Sequence, residues 1–308
     1  MAARTTSLFA ESFITMLIGR ALVGAGLGAF WAMGLAVASR LVDPKDAHKA
    51  VAAVFGGVSA AMVLGVPLGA YIAEWSSWRG AFVAAAAVAF IALAFQAVSL
   101  PSLPADSAIK SRQLFSFICR IDARKSFLIA TLIFGAHFGT YTYVAPLLVR
   151  AGFDSSEITF LLLGYGAAGF IANFVAARFI SHSLARTALS TFVLLGLVLA
   201  FLPSIKHQPT VAIFVLLWGA AWGTGPLCIN AVHQSLAGNP PEASSAMFIC
   251  VVQIAISAGS VVGGLIVDGA GINSTYWAGA ACVLLGSLLL IAFQGNMNAG
   301  ALGKIQAH

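Results

Sequence analysis

Arg20 sits eight residues into an otherwise uncharged apolar run that starts at Ser12 and meets its next charge at Arg40. A guanidinium at that depth has two uses. It pairs with a carboxylate on a neighbouring helix and couples that group's protonation to movement, or its stem snorkels to the outer water. At helical spacing Arg20, Gly24, Gly28 and Trp31 share one face, and the glycines let another helix approach closely. His137 and Tyr141 also share a face, in a later apolar run. An imidazole there carries a proton, because its pKa lies near neutrality, or stays neutral and donates a hydrogen bond to a neighbouring helix. Tyr141 and Tyr143 offer rings to stack on a solute, or belong to the aromatic belt at the membrane surface.

Other polar groups are spaced for recognition. Trp218, Trp222 and Asn230 fall near one helical face, with Pro226 between them, and Gln253, Ser257, Ser260 and Gly264 form a stripe. Asn173 stands alone among apolar residues. Amides and hydroxyls beside aromatic walls suit a neutral, hydroxyl-rich aromatic solute in a central cavity; the same groups also bond helix to helix. In Gly65-Val66-Pro67-Leu68-Gly69 the proline removes a backbone donor and the glycines permit tight packing, the ingredients of a kinked gate. The sequence holds no Walker motif, HExxH, GxSxG or Cys/His ligand cluster. No catalytic residue, cofactor or metal is expected, and an enzyme is not the expected class.

These residues need elements to hold them, and composition says which. Of 308 residues 60% are hydrophobic and 8% are charged, against about a quarter charged in soluble domains. The solvent for such a surface is lipid. The net charge of +6 is scattered over short loops, so nucleic acid is not an expected partner; nor is an obligate protein partner. Four cysteines show no paired spacing and no cleavable leader stands out. With about 20 apolar residues per span, nine spans are expected: 12–41, 51–73, 80–100, 127–149, 159–181, 188–205, 210–236, 246–268 and 275–294. The expected fold is an all-α polytopic membrane protein. Residues 1–104 form a partial N-terminal bundle, 105–126 a basic cytoplasmic linker and 127–308 a six-helix C-terminal bundle. With that linker in the cytoplasm eleven Lys and Arg fall inside and four outside, which puts the C-terminus inside.

The two bundles repeat each other. Gly24-Ala25-Gly26-Leu27-Gly28 aligns with Gly219-Ala220-Ala221-Trp222-Gly223, Leu41 with Leu236 and Gly69 with Gly264, each pair 195 positions apart. On that symmetry, the spans at 127–205 require partners before Met1, and the chain reads as a twelve-helix protein lacking its first three helices.

GRALVGAGLG (19–28) resembles the fourth-helix motif of the major facilitator superfamily, and GVPLGAYIAEWSSWRGAF (65–82) is similar to its antiporter fifth-helix motif and the start of the sixth helix. TYTYVAPLLVRAGF (140–153) resembles the seventh helix of the drug and sugar efflux branch. Within it, GRALVGAGLGAFWAM, VFGGVSAAMVLGVPLGAYIAE and SLPSLP are most similar to the bacterial purine ribonucleoside efflux family. The resemblance implies two six-helix bundles in a bacterial inner membrane, here truncated at the N-terminus, exporting a small polar solute against protons. Arg20 and His137 would then couple charge, while Gly24, Gly28, Gly65, Pro67 and Gly69 pack or gate. Trp31, Tyr141, Tyr143, Asn173, Trp218, Trp222, Asn230, Gln253 and Ser257 would line the substrate cavity. Partners are the solute, protons and the lipid bilayer. Sugar or drug export and a non-transporting truncated remnant are the alternatives. In the full-length form, Arg20→Ala is expected to abolish export; wild-type rates in a vesicle assay would reject the charge-pair role.

Overall fold

In lipid, every backbone N–H and C=O has to be bonded inside the protein, and a helix does this within one segment. Among the described residues, 13–43, 47–101, 120–180, 182–237 and 241–305 of the computed structural model, every regular element is a helix. In chain order these are α1 (Phe13–Arg40), α2 (Ala47–Trp75), α3 (Trp78–Ser99), α4 (Ile121–Tyr141), α5 (Val144–Arg150), α6 (Ser155–Ile180), α7 (Leu184–Phe201), α8 (Gln208–Ala237), α9 (Pro241–Ala270) and α10 (Ile272–Ile305). A 3-10 turn at Leu202–Ser204 extends α7. Among the described residues six helices are long and apolar enough to cross a bilayer, or seven if the bent pair α4 and α5 is one span.

The chain divides into two units, Met1–Ala108 and Ile109–His308. In the first, α2 packs on α1 and α3. The Ser77 hydroxyl caps α3 by accepting from the Gly80 N–H at 3.2 Å. Phe90, Ile91, Phe95 and Val98 of α3 are exposed, as a lipid-facing surface requires.

In the second unit, α4 packs on α9, α6 on α8 and α7 on α10, with α8 also against α4 and α7. Small residues set the first two pairings. A Cβ added at Gly139 would stand 2.9 Å from the Gly259 carbonyl oxygen, and one at Gly263 would run into Gly139. Between α6 and α8, a Cβ at Gly169 would stand 2.8 Å from the Gly219 oxygen, and one at Gly223 would run into Gly169. The two interfaces exchange roles. Gly135 and Gly139 meet Gly259 and Gly263, while Gly219 and Gly223 meet Tyr165 and Gly169. Each contact of one interface therefore has its counterpart in the other, as an inverted three-helix repeat within the unit would produce.

Two features differ from the sequence reading. Ile121–Ser126, assigned to the linker, is the first turn and a half of α4, opened by Asp122 and its 3.1 Å bond from Lys125. The expected span 127–149 is broken between Tyr141 and Val144, with a 45° bend. Pro146 explains the break: it brings no N–H to the Thr142 carbonyl and its ring would collide with it. The Thr142 hydroxyl instead donates to the Phe138 carbonyl at 2.6 Å. The next helix starts on a reciprocal cap. The Asp154 carboxylate accepts from the Glu157 N–H at 2.8 Å, and the Glu157 carboxylate accepts from the Asp154 N–H at 2.9 Å. The Glu157 N–H and the Ser156 hydroxyl hold the exposed Asp154 carboxyl below its ordinary pKa.

Overpacking costs about 1–3 kcal/mol. Gly223→Ala and Gly263→Ala should each lower the thermal midpoint in detergent accordingly. Gly269→Ala, where an added Cβ meets nothing within 4 Å, should stay within about 0.5 kcal/mol of wild type.

Candidate functional site

The backbone approach of α4, α6, α8 and α9 places a cluster of rings inside the second unit. His137 of α4 is buried and its imidazole lies on the Trp222 indole, centroids 3.4 Å apart and planes 3° apart. Trp218, one turn earlier on α8, donates its indole N–H to His137 Nδ1 at 3.2 Å. Indole nitrogen is a donor only, so Nδ1 is the acceptor and the neutral ring carries its hydrogen on Nε2. The sequence reading left His137 as a proton carrier or a neutral ring donating to a neighbouring helix. In its bond to Trp218 it accepts instead of donating, because the indole N–H can only donate.

Tyr141 stacks on the other side of the register, 5.3 Å from His137 and 5.1 Å from Tyr165 of α6. Trp218 meets Tyr141, Tyr165 and Tyr276 of α10 edge to face, at 5.8, 5.9 and 5.8 Å. Tyr165 and Tyr276 are buried, and among the described residues their hydroxyls have no hydrogen-bond partner. An unpaired buried hydroxyl costs roughly 1–3 kcal/mol. Both rings meet Trp218, and among the described residues both hydroxyls are left unbonded.

Next to this cluster lies the break in α4. There the Thr142 and Ser260 hydroxyls meet at 3.1 Å, and the Tyr143 hydroxyl donates to the Ser260 carbonyl at 3.1 Å. Thr142 is exposed and Tyr143 half-buried. Further along α9, Ser257 is exposed and donates to the Gln253 carbonyl at 3.0 Å, with Gln253 half-buried. On α8, Asn230 accepts from Gln234 at 3.0 Å. Asn173 is half-buried on α6. Of the three tryptophans expected to line a cavity, Trp218 and Trp222 are thus inside the helix packing, Trp218 wholly so, while Tyr143, Asn173, Asn230, Gln253 and Ser257 retain accessible surface.

In the first unit, Trp31 is half-buried, edge to face with Phe30 at 5.7 Å. The side chains of Arg20 and Pro67 lie outside the described residues. Nothing among the described residues lies within 4 Å of a Cβ built on Gly24, Gly28, Gly65 or Gly69, so with the described residues of that unit these glycines make no close helix contact of the kind found at Gly139 or Gly223.

Several residues of interest escaped the sequence reading. Tyr165 is a single polar group in an apolar run, while Thr142 and Tyr276 stand among other polar residues, and only their neighbours in space distinguish them. A second buried imidazole, His233, meets Ser126 at 2.9 Å across 107 positions, a separation that no local spacing displays. Among the described residues no group of three metal-ligating side chains occurs.

The profile described as Major Facilitator Superfamily matches residues 1–258. The purine ribonucleoside efflux pump NepI of Escherichia coli is 33% identical over 290 residues, covering 92% of this chain and 72% of that protein. Its Salmonella enteritidis counterpart is 34% identical over 292 residues with the same coverage. The transcription regulatory protein OpdE of Pseudomonas aeruginosa is 33% identical over 288 residues, again covering 92% and 72%. Among solved structures, the human organic anion transporter MFSD10 (TETRAN) superposes with a TM-score of 0.73 at 20% identity, covering 93% of this chain and 74% of that one. The E. coli fucose:proton symporter FucP gives 0.68 at 16%, covering 91% and 77%.

The Trp218–His137 bond is open to direct test. Trp218→Phe keeps a ring but removes the donor. The 15N spectrum of His137 should change from one tautomer to a mixture, with a stability loss of about 1–3 kcal/mol. An unchanged single tautomer would show that another group sets it.

Proposed function

Because this chain belongs to the major facilitator superfamily, a family of multi-pass membrane transporters, we propose that it exports purine ribonucleosides, driven by protons moving the other way. The observation that carries this reading is the ring cluster with its two unpartnered hydroxyls, Tyr165 and Tyr276. A purine ribonucleoside has an aromatic face for such rings and sugar hydroxyls for such oxygens. The names of the Escherichia coli and Salmonella relatives point to the same solute. The polar groups of the second unit that keep accessible surface, Tyr143, Asn173, Asn230, Gln253 and Ser257, are the further solute-facing residues of this reading. The break in α4 supports it too, since broken helices build solute sites at membrane depth.

Proton coupling, on this reading, uses Arg20 and His137. Protonating His137 at Nδ1 would set that N–H against the Trp218 N–H, so the ring takes a proton only when α8 moves against α4. Gly65, Pro67 and Gly69 serve the gate. The apolar helices favour transport over the regulatory role in the name of the Pseudomonas aeruginosa relative. They are also consistent with an inner-membrane location.

The test compares membrane vesicles from cells carrying the native gene with vesicles from cells lacking it. Gene-dependent movement of a radiolabelled purine ribonucleoside, collapsed by a protonophore, is the expected result. Movement of a sugar or an amphipathic dye instead would reject the solute assignment. Tyr165→Phe and Tyr276→Phe provide a sharper measurement. Each removes an unpaired hydroxyl, so folding stability should hold or rise by about 1 kcal/mol, while KM for the nucleoside rises about threefold to tenfold. A KM unchanged in both would reject this site.

A further inference from the structure

The 24 residues from Ser126 to Val149 carry no Lys, Arg, Asp or Glu, and within this stretch the helix breaks between Tyr141 and Val144 with a 45° bend. Thr142 stands eight residues before Arg150. That is about 12 Å along a helix, well inside a hydrocarbon layer roughly 30 Å thick. The carbonyls around it are bonded. Phe138 accepts from the Thr142 N–H at 3.3 Å, Thr140 from the Tyr143 N–H at 3.0 Å and Tyr143 from the Leu147 N–H at 3.2 Å. The Thr142 carbonyl is not. The residue four positions on is Pro146, which has no N–H to offer, and among the described residues no other donor meets this oxygen.

Lipid tails give a carbonyl no donor, so irregular backbone at this depth occurs only inside the protein or against water. Thr142 and Pro146 are both exposed, which leaves water. The hydroxyls beside the break already have partners. Thr142 donates to the Phe138 carbonyl at 2.6 Å and Tyr143 to the Ser260 carbonyl at 3.1 Å. Each hydroxyl has one hydrogen, and the Ser260 hydroxyl lies 3.1 Å from that of Thr142. The open group at the break is therefore an acceptor, the Thr142 carbonyl. The unbonded hydroxyls of Tyr165 and Tyr276 differ from it, because a hydroxyl can give or take a hydrogen. A carbonyl selects for donors.

We propose that the Thr142 carbonyl is a specificity-determining group, which faces an aqueous surface of the second unit and accepts a hydrogen bond from an N–H on the edge of the solute's base. Pro146 is its positioning residue, because the N–H missing there is what keeps the carbonyl open. The choice of a base N–H rests on the purine ribonucleoside reading above, in which the Tyr165 and Tyr276 hydroxyls take the sugar. The exposure of the carbonyl to water does not rest on it.

The experiment is NMR of the full chain in nanodiscs, with 13C at threonine carbonyls and 15N at tyrosine to select Thr–Tyr bonds. The Thr142–Tyr143 signal is assigned by its loss in Tyr143→Phe. Without solute, a water-soluble paramagnetic ion should broaden this signal and a nitroxide on the lipid chain should not; the reverse overturns the proposal whatever the solute. Adenosine, which carries an amino group on its base, should then shift the signal. Purine riboside, the same ring and sugar without that group, should not. In vesicle export, KM for purine riboside should exceed KM for adenosine about threefold to tenfold. Pro146→Ala supplies the carbonyl with an N–H, so KM for adenosine alone should rise until the two converge. Equal responses to the two nucleosides in the wild-type chain overturn the proposal, whether or not Pro146→Ala folds. If neither nucleoside binds or moves, the purine ribonucleoside reading fails and the base N–H with it, while the paramagnetic measurement, made without solute, still decides whether the carbonyl faces water.

Discussion

Gly139 and Gly263 bring the backbones of α4 and α9 so close that neither could carry a side chain at the crossing, and Gly169 and Gly223 do the same for α6 and α8. In a bilayer this constraint carries unusual weight. Lipid tails are as apolar as leucine, so helices gain little from hiding apolar surface from them. They gain from contact, and contact is closest where the side chains are smallest. Once two backbones touch at glycine, sliding one past the other drives a Cβ into a carbonyl. The register along the pair is thereby set by backbone contact at glycine.

The ring cluster follows from that register. Trp218 and Trp222 flank Gly219 and Gly223 on α8, and His137 lies between Gly135 and Gly139 on α4. Holding the glycines in place leaves the rings no choice but to meet between the helices, where imidazole and indole stack at 3.4 Å. The same close approach dries the interior, so each polar group there has to find a partner or go without. His137 finds the Trp218 N–H, Thr140 donates to the Ala136 carbonyl at 2.9 Å, and among the described residues the Tyr165 and Tyr276 hydroxyls go without. Packing and chemistry are in this sense one problem: the residues that make the unit rigid also decide which polar atoms remain available to something else.

Two buried histidines lie among aromatic rings of the second unit and meet different partners. His137 Nδ1 accepts from the Trp218 indole N–H at 3.2 Å, whereas His233 Nδ1 lies 2.9 Å from the Ser126 hydroxyl. Indole can only donate, whereas a hydroxyl can donate or accept.

The sequence by itself determined the solvent, the helical class, most of the spans and the superfamily, because each rests on composition or on motifs contiguous in the chain. It also marked Tyr141, Trp218 and Trp222 as aromatic groups on helix faces. Helical period says which residues share a face; it does not say what that face meets. Only the tertiary structure decided that Trp218 is inside the packing, that His137 accepts and that Pro146 breaks α4 at Thr142–Tyr143. It alone brought Ser126 to His233 across 107 positions. Those outcomes depend on the register between helices, which is set by backbone contacts at glycines far apart in the chain, and a residue's own neighbours in sequence carry no record of it.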